Sequence, residues 1–153
     1  MKIRRAQPAD KAAVLALVAA IDVDDYIPYC FDDWVDDFAG GAFLVACQDG
    51  HLLGIANVHF LDERVAWLQA LRVAPSARRL GVGTALSQAC LKFSAQAGRQ
   101  VARLLIDIDN HASLSLTAGA GFHKIAEWLR LEKQTEPVTA PSMQNPTPEQ
   151  LPQ

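Results

Sequence analysis

The sequence predicts a mixed α/β domain: one α+β mixed sheet with helices packed against it, in the order β-α-α-β-β-β-α-β-α-β. Three observations predict it. Apolar residues at helical spacing open the chain and recur after residue 82. Between them, residues 42–75 read as consecutive strands joined by turn residues. A strand, a glycine-bearing loop and a helix then follow one another. At 153 residues the chain suits one domain with a proper core, and no internal repeat is visible.

Each element has a local reason. "KIRRA" is a short first strand. "PAD" opens a helix, since Pro8 suits a helix start and Val14, Leu17, Val18 and Ile21 share one face. "DVDDYIPYC" breaks that period, with Pro28 in the break, and "FDDWVDDFAGG" is a second helix ended by Gly40 and Gly41. Asp49-Gly50 turns the first strand pair and Asp62-Glu63-Arg64 the second. Val82, Leu86, Ala89 and Phe93 mark an amphipathic helix ending near Gly98. "VARLLIDID" reads as a buried strand, residues 111–120 as a short helix closed by Gly121, and "HKIAEWLRLEK" as a last strand. From Gln134 onward, five prolines and few large apolar residues predict a flexible tail, so the domain is expected to span 1–132 and the tail 133–153.

Composition excludes several classes. A net charge of −3 argues against a general nucleic-acid binder. "MKIRRAQPAD" has no apolar run after its basic residues, and no apolar stretch is long enough to cross a membrane. Cys30, Cys47 and Cys90 lack metal-type spacing and read as buried, reduced thiols of a cytoplasmic protein without a metal.

The segment richest in chemistry is "VAPSARRLGVGTALSQ", residues 73–88. A loop between a strand and a helix presents unpaired amides and the positive end of the helix dipole to an anion. Gly81 and Gly83 remove side chains that would hold a phosphate away, and Arg78 and Arg79 add positive charge. A bare tight turn explains the glycines equally well. A dinucleotide fingerprint needs a third glycine where Leu86 stands, and no P-loop Gly-Lys-Ser/Thr exists.

Two separated motifs carry a family resemblance over residues 2–132. The loop Arg78-Arg79-Leu80-Gly81-Val82-Gly83, with Val73 and Pro75 upstream, resembles the acetyl-CoA loop of the GCN5-related N-acetyltransferases (GNAT family). Asn110-His-Ala-Ser113-Leu-Ser-Leu116-Thr117-Ala-Gly-Ala-Gly121-Phe122 resembles that family's second signature without a gap. The resemblance implies a bulge in the fourth strand near Leu71 to Val73, which splays from the fifth and leaves a gap for pantetheine. It implies backbone contacts from Leu71, Arg72 and Val73, with the pyrophosphate on the loop residues Arg78, Arg79, Leu80, Gly81, Val82, Gly83 and Thr84. Asn110 and Ser113 face the cofactor, acetyl-CoA or coenzyme A.

Acetyl transfer requires a neutral amine, polarisation of the thioester carbonyl and a proton for the leaving thiolate. The resemblance assigns the polarising amide to the backbone near Leu71 or Val73. It places the acid at position 117, usually tyrosine, where this chain has Thr117, and a glutamate base near Gln69, which cannot titrate. Ser115, Tyr26 and Tyr29 are the substitute hydroxyls; Glu63 and His59 lie nearby in sequence, with His59 read as packing.

The resemblance implies an acceptor under the segment joining the first two helices. "DVDDYIPYCFDDWVDD" carries seven aspartates there and no lysine or arginine. It reads either as a solvated acidic face or as a lip attracting a cation, with Asp25 and an aromatic wall of Tyr26, Tyr29 and Trp34. "DYIPYCFDDWVDD" and "LRVAP" also resemble the branch containing histidine N-acetyltransferase, which favours a small amine or amino acid as partner. Three readings stay open: an N-acetyltransferase of a small amine, a non-catalytic acyl-CoA-binding or regulatory module, and an acetyltransferase of a basic peptide. An uncovered sheet edge would suit a homodimer.

Overall fold

A computed structural model describes residues 1–129. The chain divides into two units, Met1–His123 and Lys124–Gln153. In the second, residues 124–129 form no regular element, and Lys124 Nζ lies 2.5 Å from Glu127 Oε1.

The first unit is one sheet with helices against it. Its strands are β1 (Lys2–Arg5), β2 (Gly41–Gln48), β3 (His51–Phe60), β4 (Val65–Val73) and β5 (Val101–Arg103), in the spatial order β1-β2-β3-β4-β5. The helices are α1 (Lys11–Ala19), α2 (Ile27–Asp36), α3 (Val82–Gln96) and α4 (His111–Gly119). β1 to β4 pair antiparallel, whereas β5 joins β4 in parallel through the α3 crossover.

Two groups of buried residues flank the sheet. Val14, Leu17, Val18, Ile27 and Phe31 of α1 and α2 pack with Phe43, Val45 and Ile55. Val82, Leu86 and Cys90 of α3 pack with Leu44, Ala46, Ala56, Val58 and Leu68. The alternation along β2 and β3 therefore feeds both faces, and both strands are buried through their centres.

Several local expectations change. α2 begins at Ile27, so Pro28 lies in its first turn, where a missing N–H costs nothing. The helix stops before Gly40, whose N–H donates to Asp37 Oδ1 at 2.6 Å. The run expected as a buried strand over 101–109 pairs with β4 only through Arg103, and Leu105 and Ile108 are exposed. Residues 123–129 of the expected last strand are not extended in any ladder; its remainder and the 133–153 tail lie outside the described residues. Of the three free cysteines only Cys90 is buried, while Cys30 and Cys47 are half-buried at element surfaces.

Candidate active site

The splay of β5 from β4 makes the site. Pairing runs from Val65↔Val101 to Trp67↔Arg103 and then ends, so among the described residues β4 beyond residue 67 has no strand neighbour on that side. The edge groups of a strand left this way are open to a ligand. A bulge adds to the opening. Ile55 pairs with Arg72 and Asn57 with Gln69, so β4 carries an extra residue there. Ala70 sits in it at φ +59°, a left-handed conformation uncommon for a residue with a side chain.

The resulting cleft has a volume of about 380 Å³. Gln69, Ala70, Leu71 and Arg72 of β4 form one wall, and Leu104, Ile106, Asp107, Asn110, Ser113 and Thr117 form the other. Leu104, Leu105 and Ile106 all line it, Leu105 with most of its surface exposed, in a segment that has left the sheet. Asn57, Trp67, Ser87 and Cys90 also contribute; the first three were not singled out from sequence, and Cys90 was read there only as a buried thiol. Asn57 is 3% exposed and stands directly opposite Gln69. A buried asparagine in an otherwise apolar strand was the available signal.

The glycine loop adjoins the cleft wall through Gly83, which packs on Leu71 and Leu116. Gly81 precedes α3 with φ +79°, and no side chain caps the helix. The first intrahelical bond runs from Ala85 N–H to Gly81 C=O, which leaves the amides of residues 82–84 for another acceptor. At Gly83 a Cβ would come 2.9 Å from Leu116 Cδ1 and 3.7 Å from Val73 Cγ2, so β4, α3 and α4 converge there. Val73 thus abuts the loop rather than lining the cleft. Arg78, Arg79, Leu80 and Thr84 are exposed, and Arg79 too has a positive φ of 62°. This donor set suits a bound anion: open amides, a helix N-terminus and two free-standing guanidiniums.

Asn110 caps α4, its Oδ1 accepting from Ser113 N–H at 3.1 Å, and the same residue borders the cleft. Thr117 lines the cleft as well, but its hydroxyl donates back into the helix, 2.9 Å from Ser113 O and 3.1 Å from Leu114 O. Ser115 faces a separate groove between α3 and α4. His59 stands outside the cleft with Nδ1 4.0 Å from Asp37 Oδ2, and its half-exposed side chain does not serve as core packing.

The acceptor-side expectations divide. Asp25 is not available to a cation, because its side chain is fully buried. Oδ2 accepts from Arg72 Nε at 2.7 Å and Oδ1 from Ile27 N–H at 3.0 Å. Tyr29 is 87% exposed and does not line the cleft. Trp34 lies behind Tyr26, edge-on at 6.1 Å, and packs on Phe43 in the core. Tyr26 alone of that quartet lines the cleft. Burial raises its phenol above the ordinary tyrosine value, Asp25 and Cys30 add to the rise, and Arg72 and the Ala70 backbone amide oppose it. Asp22, Asp24, Asp32, Asp33 and Asp36 stay at the surface, Asp32 paired with Lys11 Nζ at 2.5 Å. Among the described residues no His, Cys, Asp or Glu group is arranged to hold a metal ion, and no helix is long and apolar enough to cross a membrane.

Known proteins resemble this chain in sequence and in fold. Mycothiol acetyltransferase of Sanguibacter keddieii is 35% identical over 91 residues, 56% of this chain and 29% of that protein. Histidine N-acetyltransferase of Xenopus tropicalis is 33% identical over 70 residues, 45% of this chain and 21% of that protein. The chain therefore matches less than a third of the length of these curated relatives. The aminoglycoside N-acetyltransferase AAC(6')-Iy, solved with a bisubstrate analog built on CoA, superposes with a TM-score of 0.73 at 18% identity, over 88% of this chain and 98% of that one. The model of the acetyltransferase (GNAT) family matches residues 12–122, and with the splayed strands, the bulge and the open helix N-terminus in place, the chain belongs to that family.

Proposed function

We propose that this chain is an acetyl-CoA-dependent N-acetyltransferase that passes the acetyl group to the primary amine of a small cationic amine or amino acid, by direct attack in a ternary complex. The observation that carries the reading is the cleft between β4 and β5, open at the bulge and adjoined through Gly83 by the uncapped first turn of α3.

Bound acetyl-CoA supplies an activated thioester. The chain's own residues hold it. The amides of residues 82–84 and the guanidiniums of Arg78 and Arg79 take the pyrophosphate. The free edge of β4 at Leu71, Arg72 and Val73 bonds the pantetheine amides, with Leu80, Gly81, Asn110 and Ser113 alongside. A β4 amide at Leu71 or Val73 polarises the carbonyl. Gln69 cannot take the amine proton, so water beside Asn57 and Gln69 does so. The relatives' names, with histidine and an aminoglycoside among their acceptors, support a small amine, and the exposed aspartates on and before α2 draw a cation to the cleft. A cytoplasmic protein, acting on a small molecule and pairing with a second copy at the free sheet edge, accords with this reading.

Thermal melts with CoA, followed by thiol release from acetyl-CoA over a panel of free amines, test it. Stabilisation by CoA together with turnover of a small amine is the expected result. No stabilisation by CoA overturns it. Stabilisation without turnover of any amine or peptide selects the non-catalytic acyl-CoA-binding module, which Gln69 and the back-bonded Thr117 favour. A basic peptide outcompeting every free amine selects the peptide acetyltransferase.

A further inference from the structure

The hydroxyls on the cleft wall belong to Tyr26, Ser87, Ser113 and Thr117. Three are aliphatic, far weaker acids than a phenol, whose ordinary pKa is about 10. Thr117 also has its hydrogen turned onto Ser113 O and Leu114 O. Cys90 is a poor proton donor, since burial pushes its thiol up to about 12.

Tyr26 is placed differently. Its ring is held edge-on by Trp34 at 6.1 Å and 84°. The Arg72 guanidinium carbon sits 5.9 Å from its centroid. Its neighbour Asp25 is anchored to Arg72, so the backbone at residue 25 is tied to β4. Its side chain borders the cleft together with Ala70, the residue of the bulge where the cleft opens. A thioester laid along β4 from Val73 toward Ala70 would bring its sulfur into the cleft that Tyr26 borders.

We propose that Tyr26 is the proton donor to the departing sulfur, in place of the hydroxyl that Thr117 has turned into its own helix. This rests on the acetyltransferase reading above. The amine nitrogen forms its bond to the acetyl carbon and the carbon–sulfur bond breaks. The sulfur takes the Tyr26 proton and leaves as a thiol. The phenolate regains a proton from the positively charged nitrogen of the new amide, through water, so the enzyme ends neutral and unchanged. The groups facing the phenol are Arg72 from β4, and Asp25 and Cys30 from its own segment; Arg72 favours the phenolate and the other two oppose it.

The chain has 2 tyrosines, so Tyr29→Phe leaves Tyr26 as the sole phenol. Its ionisation is read by phenolate absorbance, with CoA and with desulfo-CoA as probes. The expected result is a titration midpoint that CoA moves and desulfo-CoA, lacking the sulfur, does not. The same midpoint with both probes overturns the proposal. Failure of CoA to stabilise the wild type in a melt overturns the underlying reading instead. In Tyr26→Phe, stabilisation by CoA is retained, while kcat for an amine that the wild type accepts falls about 10²–10⁴-fold and the alkaline limb of the pH–rate profile disappears. An unchanged kcat and an unchanged alkaline limb overturn the proposal even if the titration responds to sulfur.

Discussion

Arg72 Nε lies 2.7 Å from Asp25 Oδ2, and the Asp25 side chain is fully buried while Arg72 keeps 27% of its surface. The pair joins β4 to the segment between α1 and α2 across 47 residues of sequence. It draws that segment against β4, where Tyr26 borders the cleft beside Ala70 and Arg72.

Breaking this pair from one side leaves a charge without its partner. Asp25→Ala is expected to lower stability by about 3 kcal/mol, the low end for a buried pair because Arg72 retains contact with water. Asp25→Asn, which keeps an acceptor for Ile27 N–H, costs less. Joint replacement by Asp25→Leu and Arg72→Met recovers most of the loss. Urea denaturation of the wild type, Asp25→Leu, Arg72→Met and the double variant closes a double-mutant cycle, and additive losses would rule out coupling.

The bulge predicts a side-chain limit at Ala70. A left-handed backbone costs roughly 1–2 kcal/mol for a residue with a Cβ, and more when the side chain is branched. Ala70→Val is therefore expected to destabilise the fold by more than Ala70→Gly changes it. Because β4 would straighten, Ala70→Val should also weaken binding of CoA, read by isothermal titration.

Asp10 supplies an acid-sensitive contact. Its carboxylate accepts from Arg4 Nη1 at 2.7 Å and Nη2 at 2.8 Å, and from Gln7 N–H at 2.8 Å. The Arg4 hydrogen bonds hold it below the ordinary carboxylate value. The unfolded chain thus binds the proton first, and the stabilisation present at neutral pH is lost as pH falls through the folded value. Asp10→Asn should flatten the acid side of a stability–pH curve and leave the alkaline side unchanged.

Cys90 behaves in the opposite sense. Burial raises its thiol from 9.0 to about 12, so the unfolded chain ionises first. Its contribution is complete below pH 9 and is lost as pH rises toward 12. Cys90→Ala should remove that alkaline decline, at the cost of a small cavity beside α3. In the native protein, thiol reagents should label Cys30 and Cys47 before Cys90.

The most legible parts were those whose geometry is local. Gly81 at φ +79° before an uncapped helix is a feature of a few consecutive residues, and so is the Asn110 cap on α4. Both were readable from residue type and spacing. The antiparallel run of β2 to β4 was readable for the same reason, since its turns are short and its neighbours consecutive. Residues 101–109 misled because an apolar run signals burial without saying against what. Only Val101–Arg103 found a strand partner; Leu104 and Ile106 turned to the cleft instead.

The acidic segment shows the remaining gap. Residue by residue, Asp25 looks like its six aspartate neighbours, and Tyr26 looks like Tyr29. Which aspartate is buried depends on Arg72, and which tyrosine reaches the cleft depends on Trp34 and the Ala70 bulge. The sequence by itself determined the order of elements through α4, the glycine-bearing loop before α3 and which residues stand at positions 69 and 117. Only the tertiary structure decided that Asp25 is a buried anchor, that Thr117 has turned its proton into α4, and that Tyr26 faces the site. Backbone preferences and turn chemistry act between near neighbours, whereas a buried ion pair and an open cleft exist only once distant strands and helices have met.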